Sequence, residues 1–325
     1  MTLSAFEKQL NDLGQRKVPF LFMIDFEMND PKVWAIEEIN DREILFDING
    51  FTNATAKNIS SQDFIFQIDH TSLSIAEYQK KFDTIKNHLN LGDTFLTNLT
   101  VKTKIETNRS LKELFYLSMA RYKIWYNNQF LVFSPEIFIQ IKNQQIFSFP
   151  MKGTIDASIP DAKNKILSDQ KELAEHVTIV DLIRNDLSRI AKSVSVNRFR
   201  FVEEIRSRSK RLFQVSSEIV GDLKSDYQQH IGSILVSLLP AGSISGAPKK
   251  RTLEIIREAE GEERGFYTGV IGYFDGENLD AGVMIRYLEK TETGIFFRSG
   301  GGITTQSNLI NEYQEVMDKI YVPVY

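Results

Sequence analysis

Short apolar runs dominate the first half of the chain, and their β-branched and aromatic residues are typical of strands. One longer segment differs from them. Over Ile75–Leu91 the apolar residues recur every three or four positions, which predicts an amphipathic helix. The predicted strands cover residues 20–26, 44–46, 64–68, 94–102 and 123–133.

The second half of the chain mixes hairpins with helices. Residues 138–149 alternate across a polar turn, and residues 265–274 and 279–288 flank Asp275-Gly276, so both regions predict hairpins. A further strand is predicted over 295–298, leading into the glycine run 300–302.

Four helices are predicted after residue 160 from periodicity and from capping residues. The last of them is expected to bury Leu309, Ile310, Tyr313, Val316 and Met317. They cover 168–190 with Ser168 as the N-cap, 231–239 ahead of Pro240, 248–258 with Pro248 as the first residue, and 308–320.

Antiparallel hairpins with interspersed helices indicate an α+β fold rather than a doubly wound sheet. The glycines form neither a dinucleotide-binding fingerprint nor a P-loop. At 325 residues, without an internal repeat or a clear linker, the chain is consistent with one large domain.

Composition excludes several classes of protein. The net charge of −4 gives no electrostatic basis for binding nucleic acid, and no apolar run is long enough to span a membrane. We therefore expect a cytoplasmic protein. The absence of cysteine excludes disulfides, cysteine zinc sites and cysteine nucleophiles in this chain. The one basic stretch, 198–211, is interpreted first as a solvated loop or strand edge.

Lys152 and Glu136 are the strongest candidates for chemistry. Lys152 lies between Pro150 and Gly153, which predicts a stiff turn, and Glu136 lies one hairpin upstream. If the surrounding pocket lowers the pKa of the lysine, its amine becomes a nucleophile, and the carboxylate can move protons for it. A solvated lysine and glutamate are the more common alternative.

An anion site is the second candidate. Ser243 and Ser245 precede a helix start, the glycines 300–302 can expose backbone N–H groups, and Arg286 offers two parallel donors to a carboxylate. Singly these features are more often a helix start, a tight turn and a surface ion pair. Together they favour a small ligand with several acidic groups.

Acidic residues on two predicted helices suggest a Mg²⁺ site. Glu175 lies on the helix 168–190, and Glu312 and Glu315 lie one turn apart on the last helix. The alternative is a solvent-exposed Glu315–Lys319 pair. The polar run from Asp181 to Asp186 is interpreted as a buried hydrogen-bond and ion-pair network, and the four histidines have no metal-binding spacing.

The order of these motifs resembles that of the chorismate-binding enzymes, which include anthranilate, aminodeoxychorismate, isochorismate and salicylate synthases. The resemblance covers residues 75–325, the predicted catalytic region, with residues 1–74 as a shortened N-terminal β-rich part of the same domain. It implies the fold of anthranilate synthase component I, with antiparallel sheets packed in a sandwich and helices outside. The similar stretches are 92–100, 134–136, 150–154, 179–186, 243–249, 269–273, 285–286, 300–303 and 312–315.

Lys152 separates the members, because anthranilate synthases typically have alanine at this place and aminodeoxychorismate synthases have lysine. The resemblance therefore implies conversion of chorismate to 4-amino-4-deoxychorismate through a covalent Lys152 intermediate, with Glu136 as acid and then base. Anthranilate synthase and an isochorismate-forming enzyme are the nearest alternatives, and an inactive partner-binding subunit is a more distant one. By the same resemblance, Glu175, Glu315 and Glu312 hold Mg²⁺, and the substrate-binding residues are Asn98, Ser245, Tyr273, Arg286, Gly301 and Gly302.

The resemblance also implies a separate glutaminase subunit, because a chain without cysteine cannot use a thiol to release ammonia from glutamine. Three features depart from the family pattern. Phe213 stands where many relatives have histidine, with Gln214 beside it, and Ala241 stands where glycine is common. The shorter N-terminal part makes a tryptophan site doubtful.

Overall fold

The computed structural model describes residues 1–55, 68–71, 73–206 and 211–324. Two antiparallel sheets pack face to face and helices cover their outer surfaces, so the predicted α+β sandwich is confirmed. The helices are α1 (Leu3–Gln15), α2 (Ile75–Leu91), α3 (Leu111–Leu117), α4 (Ala162–Ser168), α5 (Gln170–Ser188), α6 (Ile231–Leu238), α7 (Lys249–Glu260) and α8 (Leu309–Asp318).

Eighteen strands are present in the described ranges, nine in each sheet. The first nine are β1 (Phe20–Ile24), β2 (Lys32–Ala35), β3 (Ile44–Ile48), β4 (Phe51–Thr52), β5 (Ile68–Thr71), β6 (Leu96–Thr107), β7 (Tyr122–Tyr126), β8 (Phe130–Ser134) and β9 (Ile137–Lys142). The others are β10 (Gln145–Ser148), β11 (Met151–Asp156), β12 (Lys192–Arg206), β13 (Arg211–Asp222), β14 (Gly246–Ala247), β15 (Val270–Phe274), β16 (Leu279–Val283), β17 (Tyr287–Thr291) and β18 (Gly294–Ile303).

We call the two sheets A and B. Sheet A has the order β11-β13-β10-β9-β16-β15-β1-β2, with β12 also paired to β13. Sheet B has the order β14-β6-β18-β17-β8-β7-β3-β4, with β5 paired to β6. The N-terminal strands contribute to both sheets, because β1 pairs with β15 and β3 pairs with β7.

Strand β1 shows why some apolar runs are continuous rather than alternating. Phe20, Phe22 and Ile24 face the outer core under α1 and α6, whereas Leu21 and Met23 face the core between the sheets. Successive side chains of a strand point to opposite faces. Both faces of this strand are buried, so every position is apolar.

Two connections cross from one sheet to the other side by side. Glu136 lies in the crossing from β8 to β9, and Arg286 lies in the crossing from β16 to β17. Backbone hydrogen bonds hold the crossings together: Val283 N–H donates to the Glu136 carbonyl and Phe133 N–H donates to the Arg286 carbonyl, each at 3.1 Å. The two candidate residues are therefore brought together by the topology.

Some strand predictions were wrong in extent. The predicted run 123–133 is a hairpin of β7 and β8, because Asn127 and Asn128 both take positive φ, as a tight hairpin turn requires. The predicted run 279–288 divides at the sheet crossing that carries Arg286. The glycines at 300–302 continue β18 instead of forming a turn. Most of the predicted strand 64–68 lies outside the described residues.

The helices are present where they were predicted, with errors at some ends and at one buried position. Helix α2 has the predicted bounds, and the hairpin at 138–149 is confirmed as β9 and β10. Asp169 caps α5, whereas Ser168 ends α4, and Pro248 is the N-cap of α7 rather than its first residue. Ile310 is 58% exposed, contrary to the prediction, because it lies about 120° around α8 from the buried Val316.

The basic stretch predicted to be a solvated loop or strand edge is part of the β12–β13 pair in the residues described. The predicted buried network from Asp181 to Asp186 is not observed as such. Asp181 and Arg184 form an exposed ion pair, and Asp186 alone enters a partly buried pair with Lys249, at 2.8 Å. None of the described helices combines the length and the apolar character needed to cross a membrane.

A buried ion pair joins α7 to sheet B. The side chains of Arg264 and Glu260 are 1% and 2% exposed and 2.6 Å apart. Arg264 also donates to the carbonyls of Ile244 and Asn98, at 2.9 Å each, and Glu260 accepts from the N–H of Thr100 at 2.8 Å. The pair thus fixes the loop before α7 against β6.

Replacing Arg264 with alanine should destabilise the protein strongly, because the charge of Glu260 would remain buried without its partner. We expect a loss of about 3–5 kcal/mol in the free energy of unfolding, measured by urea denaturation. Arg16→Ala is the matched control, since it removes an exposed ion pair with Asp12 and should cost less than about 1 kcal/mol. Equal effects of the two changes would contradict this role for Arg264.

Candidate functional site

Lys152 lies on a bulged edge strand, not on the predicted turn. The pairing of β11 with β13 shifts between Met151 and Thr154, and Gly153 takes a φ of +87° there. A bulge re-aims the side chains beside it. A Cβ on Gly153 would lie 2.9 Å from Oε2 of Glu172, so glycine is needed both for the conformation and for this close approach.

The ammonium group of Lys152 contacts a carboxylate on α5. Its Nζ lies 2.6 Å from Oε2 of Glu175, whose side chain is 8% exposed. Burial acts to lower the pKa of Lys152, but the nearby Glu175 carboxylate outweighs it and the pKa is raised. The expectation of a lowered pKa is therefore not met in this structure, and Lys152 is held in its protonated form.

Helix α8 brings two further carboxylates to the same place. A Cβ built on Gly301 would lie 3.7 Å from Oε2 of Glu312 and 3.4 Å from Oε1 of Glu315, and one built on Gly302 would lie 4.0 Å from Nζ of Lys152. The glycines of β18 thus leave room between the lysine and the two glutamates. Six of the predicted residues surround one space: Lys152, Glu175, Gly301, Gly302, Glu312 and Glu315.

The glycine run also leaves backbone groups unpaired along one edge. The pairing of β17 with β18 ends at Arg298. Asn98, opposite Gly302, donates its N–H to the Ser245 carbonyl, and Thr100, opposite Gly300, donates to Glu260. Gly300 and Gly302 therefore stand at non-hydrogen-bonded positions with their N–H groups toward the open edge, whereas Gly301 faces β6. Alternate N–H groups are available, not the consecutive ones predicted.

Glu136 is set up as a proton donor. The hydroxyl of Ser243 donates to Oε1 of Glu136. Burial raises the pKa of Glu136, while this hydrogen bond and the charges of Lys319 and Arg286 act in the opposite direction, and the pKa remains raised. A raised pKa keeps a larger fraction of the carboxyl group protonated near neutral pH, as a general acid needs.

Lys319 links the two halves of the site, a role that sequence reasoning missed because it considered Lys319 only as the partner of Glu315 in a solvent-exposed pair, the alternative to a metal site. The side chains of Lys319 and Glu315 are 24% and 47% exposed, so the pair is only partly buried. Nζ of Lys319 lies 2.7 Å from Oε1 of Glu315 and donates to the Gly300 carbonyl at 2.7 Å. Burial would raise the pKa of Glu315, but Lys319 lowers it overall. The same ammonium group acts on Glu136, so all of these residues share one electrostatic environment.

Two predicted substrate-binding side chains have polar atoms without a hydrogen-bond partner among the described residues. They are Oδ1 of Asn98 and Nε of Arg286, and both atoms are buried. Arg286 also takes a φ of +52°, which is uncommon for a residue with a side chain. Buried unpaired groups and such backbone angles concentrate where a ligand binds.

Ser245 and Tyr273 are placed differently from these residues. Ser245 is 1% exposed, and its hydroxyl donates to the Ala241 carbonyl at 2.9 Å, so the hydroxyl is already occupied by its own loop. Tyr273 stacks on Phe51 with ring centroids 3.8 Å apart, away from the contacts of Lys152. The buried Tyr267 lies closer to the arginines, because Arg286 and Arg264 both affect its pKa, which burial raises.

Among known protein families, a model described as chorismate binding enzyme matches residues 27–324 of the chain. The chain belongs to the chorismate-binding enzyme family. The match extends into the segment ahead of residue 75, where the predicted catalytic region starts.

Two relatives are similar to the chain in sequence, and one solved structure is similar to it in fold. The chain is 46% identical over 324 residues to an uncharacterised PabA-like protein of Pasteurella multocida, with 100% of both chains covered. It is 31% identical to aminodeoxychorismate synthase component 1 of Escherichia coli, over 95% of this chain and 73% of that protein. Its fold resembles that of a putative 2,3-dihydroxybenzoate-specific isochorismate synthase, DhbC, from Bacillus anthracis, with a TM-score of 0.73, 18% identity, and 98% of this chain and 87% of that chain covered.

Sequence reasoning about this chorismate-binding enzyme also missed Glu172 and His176. Oε2 of Glu172 is buried beside Gly153 with no hydrogen-bond partner in the described ranges, and burial raises the pKa of this carboxyl group. His176 is fully buried, with Nε2 2.6 Å from the hydroxyl of Ser217. The signal for Glu172 was its spacing of three from Glu175 on one helix.

The carboxylates fit a magnesium ion in their chemistry. Their donors are all oxygens, the ligands Mg²⁺ prefers, and they come from α5 and α8 on two sides of the space at Gly301. In the part of the chain described, however, no three acidic or histidine side chains stand at metal-binding spacing. In this arrangement Lys152 lies against Glu175 and Lys319 lies against Glu315, so a lysine neutralises each of these two carboxylates.

Replacing Glu175 with glutamine should lower the pKa of Lys152, because it removes the main contribution that raises this pKa while burial remains. The rate at which an amine-acylating reagent modifies Lys152, followed against pH by peptide mass spectrometry, measures that pKa. Glu254→Gln, at an exposed ion pair with Arg251, is the control and should change nothing. An unchanged Lys152 profile in Glu175→Gln would contradict the assigned contact.

Proposed function

We propose that the chain is an aminodeoxychorismate synthase subunit that converts chorismate and ammonia to 4-amino-4-deoxychorismate, the precursor of p-aminobenzoate and folate. The observation that carries the proposal is the position of Lys152, a primary amine directed at the space bounded by Gly302, Glu175 and α8. The relatives named aminodeoxychorismate synthase component 1 support it. Relatives of the anthranilate type typically have alanine at this position.

The first displacement needs a neutral amine at Lys152. Glu172 is the carboxylate we assign to take the proton, because its buried Oε2 has no partner among the described residues and its pKa is raised by burial against the Lys152 charge. The nitrogen of Lys152 then forms a bond to ring carbon C2, and both ring double bonds shift, from C1=C2 and C5=C6 to C1=C6 and C4=C5. The C4–oxygen bond breaks, and Glu136 donates the proton with which the hydroxyl leaves as water.

The second displacement reverses the roles. Ammonia forms a bond to C4, both double bonds shift back to C1=C2 and C5=C6, and the bond from Lys152 to C2 breaks. The Glu136 carboxylate now takes a proton from the attacking nitrogen. A covalent intermediate divides one difficult substitution into two easier steps.

Cationic and backbone donors orient the substrate in this proposal. Chorismate carries two carboxylates, and the unpaired Nε of Arg286 and the open-edge N–H of Gly302 suit one of them. Asn98, with its unpaired Oδ1, would accept a hydrogen bond from a ring substituent. Ser245 holds its loop in place by donating to the Ala241 carbonyl. Tyr273 stays a predicted substrate contact, and it stacks on Phe51 rather than on any of these residues.

We further propose that Mg²⁺ binds Glu175, Glu315 and Glu312 together with the substrate. The ion would neutralise the ring carboxylate and hold it in place. These carboxylates must release Lys152 and Lys319 to bind it, so metal and lysine compete for the same oxygens.

Binding of Mg²⁺ should therefore depend on Glu315. Calorimetric titration with MgCl₂ in the presence of chorismate should show binding to the unchanged chain and a loss of at least about tenfold in affinity for Glu315→Gln. Glu254→Gln is the control at an exposed site. Equal Mg²⁺ affinity in the unchanged chain and in Glu315→Gln would remove Glu315 from the proposed ligands.

Ammonia must come from outside this chain in the proposed reaction. The sequence has no cysteine, so it lacks the thiol with which glutaminases of the cysteine type release ammonia. We propose a separate glutaminase subunit as the partner, with free ammonium able to replace it in solution. We also propose that both act in the cytoplasm.

The test of this function is the Lys152 intermediate. With chorismate and MgCl₂ but little ammonium, we expect an adduct on the peptide that contains Lys152, detected by mass spectrometry. Lys152→Ala should lose the adduct and the aminated product, whereas Lys290→Ala, at an exposed lysine of β17, should retain both. Glutamine in place of ammonium should give no product with the purified chain.

An unaffected rate of amination in Lys152→Ala would exclude covalent catalysis by this residue. Product formation from glutamine by the purified chain would exclude the need for a glutaminase partner.

A further inference from the structure

A small cavity lies beside Glu136, between α5 and sheet A. It has a volume of about 30 Å³ and is bounded by α5, by β9 and β10, and by the segment that follows α6. Glu136 and Ser243 line it, and so does Asp186 of α5. Most of the remaining wall is apolar and includes Phe138, Ile139, Ile183, Leu187, Leu238 and Ala241.

The size of the cavity selects its occupant. A single water molecule needs roughly 10–15 Å³ measured in this way, so the cavity has room for about two molecules of that size. Chorismate, a six-membered ring with two carboxylates, is far too large. Ammonia is about the size of water and fits.

The wall also selects by charge. Two carboxylates, Glu136 and Asp186, line a space whose other side chains are mostly apolar. Asp186 is held by Lys249 at 2.8 Å, and Glu136 accepts from Ser243. After Glu136 has given its proton to the leaving hydroxyl, its carboxylate attracts a small cation. The apolar wall disfavours keeping that cation charged, so an ammonium ion that enters is favoured to give up a proton.

Glu136 belongs to the cavity and to the substrate site at once. It lines the cavity, and the charges of Lys319 and Arg286, which belong to the substrate site, act on its carboxyl group. A nucleophile held in the cavity therefore lies beside the one residue that must exchange protons with both the leaving hydroxyl and the attacking nitrogen.

We propose that this cavity is the ammonia site of the enzyme, holding the nitrogen nucleophile beside Glu136 before it attacks C4. The inference rests on the proposed function and adds to it the place from which the nucleophile arrives. Ammonium loses one proton to the Asp186 carboxylate and becomes NH₃, which leaves the Glu136 carboxylate, deprotonated by the leaving hydroxyl, free for the second proton. The lone pair of NH₃ forms the bond to C4, and the Glu136 carboxylate takes the proton that the bound nitrogen then releases.

Two changes alter the cavity in opposite directions. Ala241 is 2% exposed and lines it, so Ala241→Leu fills it. The adjacent loop packs against α5, since a Cβ on Gly242 would lie 3.2 Å from Leu182. Ile183→Ala enlarges the cavity from the side of α5. Val177→Leu adds a methylene group at a 48% exposed position of the same helix and is the matched control.

The experiment measures initial rates of amination by the purified chain with chorismate and MgCl₂ while the ammonium chloride concentration is varied. Ala241→Leu should raise the KM for ammonium about tenfold or more and leave the KM for chorismate within about twofold. Ile183→Ala should increase the rate with methylamine relative to ammonium by about tenfold. Val177→Leu should match the unchanged chain in all three quantities.

The outcomes separate the two proposals. If the unchanged chain forms no aminated product, the proposed function fails and the ammonia site fails with it. If the unchanged chain is active but Ala241→Leu leaves the KM for ammonium unaltered, or raises both KM values equally, the ammonia site alone is overturned. If Ala241→Leu does not fold, Ile183→Ala decides, and an unchanged preference between the two amines overturns the site.

Discussion

The buried pair of Arg264 and Glu260 is the constraint on which the geometry of the site depends. Its hydrogen bonds reach the carbonyls of Ile244 and Asn98 and the N–H of Thr100. These contacts fix the loop that carries Ser243 and Ser245 against β6, opposite the glycines of β18. A buried ion pair adds little net stability over an apolar replacement, but it leaves few alternative arrangements once both charges are desolvated. We infer that the main role of this pair is to place the loop.

Charge balance is the second constraint. Three lysines lie among the carboxylates of α5 and α8. Lys152 pairs with Glu175, Lys171 with Glu312 and Lys319 with Glu315, each within 4 Å. The fourth acidic group, Glu172, has a pKa raised by burial, which favours its neutral form. The site is therefore close to neutral without a metal ion. Binding of a doubly charged anion with a doubly charged cation would preserve that balance, which is a physical reason for the two to bind together.

The sequence predicted the fold class and most elements, because alternation and periodicity are local properties. Helix α2 and the hairpin of β9 and β10 show this well. It did not predict where the chain crosses from one sheet to the other. The residues before and after Arg286 are equally apolar, so the pattern predicts one strand where the structure has β16 in sheet A and β17 in sheet B. The wrong prediction for Ile310 has the same cause, because the face of α8 that is buried is determined by its packing on β18 and α2.

The candidate residues were found through motifs, whereas their interactions needed the structure. Lys152, Glu175, Glu312 and Glu315 come together around one space, and Glu136 is linked to them through Lys319, but Lys319, Glu172 and His176 were missed. Lys319 illustrates the reason: an i,i+4 pair with Glu315 has the same sequence pattern on an exposed face and in a site. Only its contact with the Gly300 carbonyl distinguishes the two.

The most direct test of the central claim is the identity of the product. The purified chain is incubated with chorismate, MgCl₂ and ammonium chloride, and the products are separated by liquid chromatography and identified by mass spectrometry. The proposed function predicts 4-amino-4-deoxychorismate with its enolpyruvyl group still attached. Formation of anthranilate and pyruvate by the chain alone would contradict it.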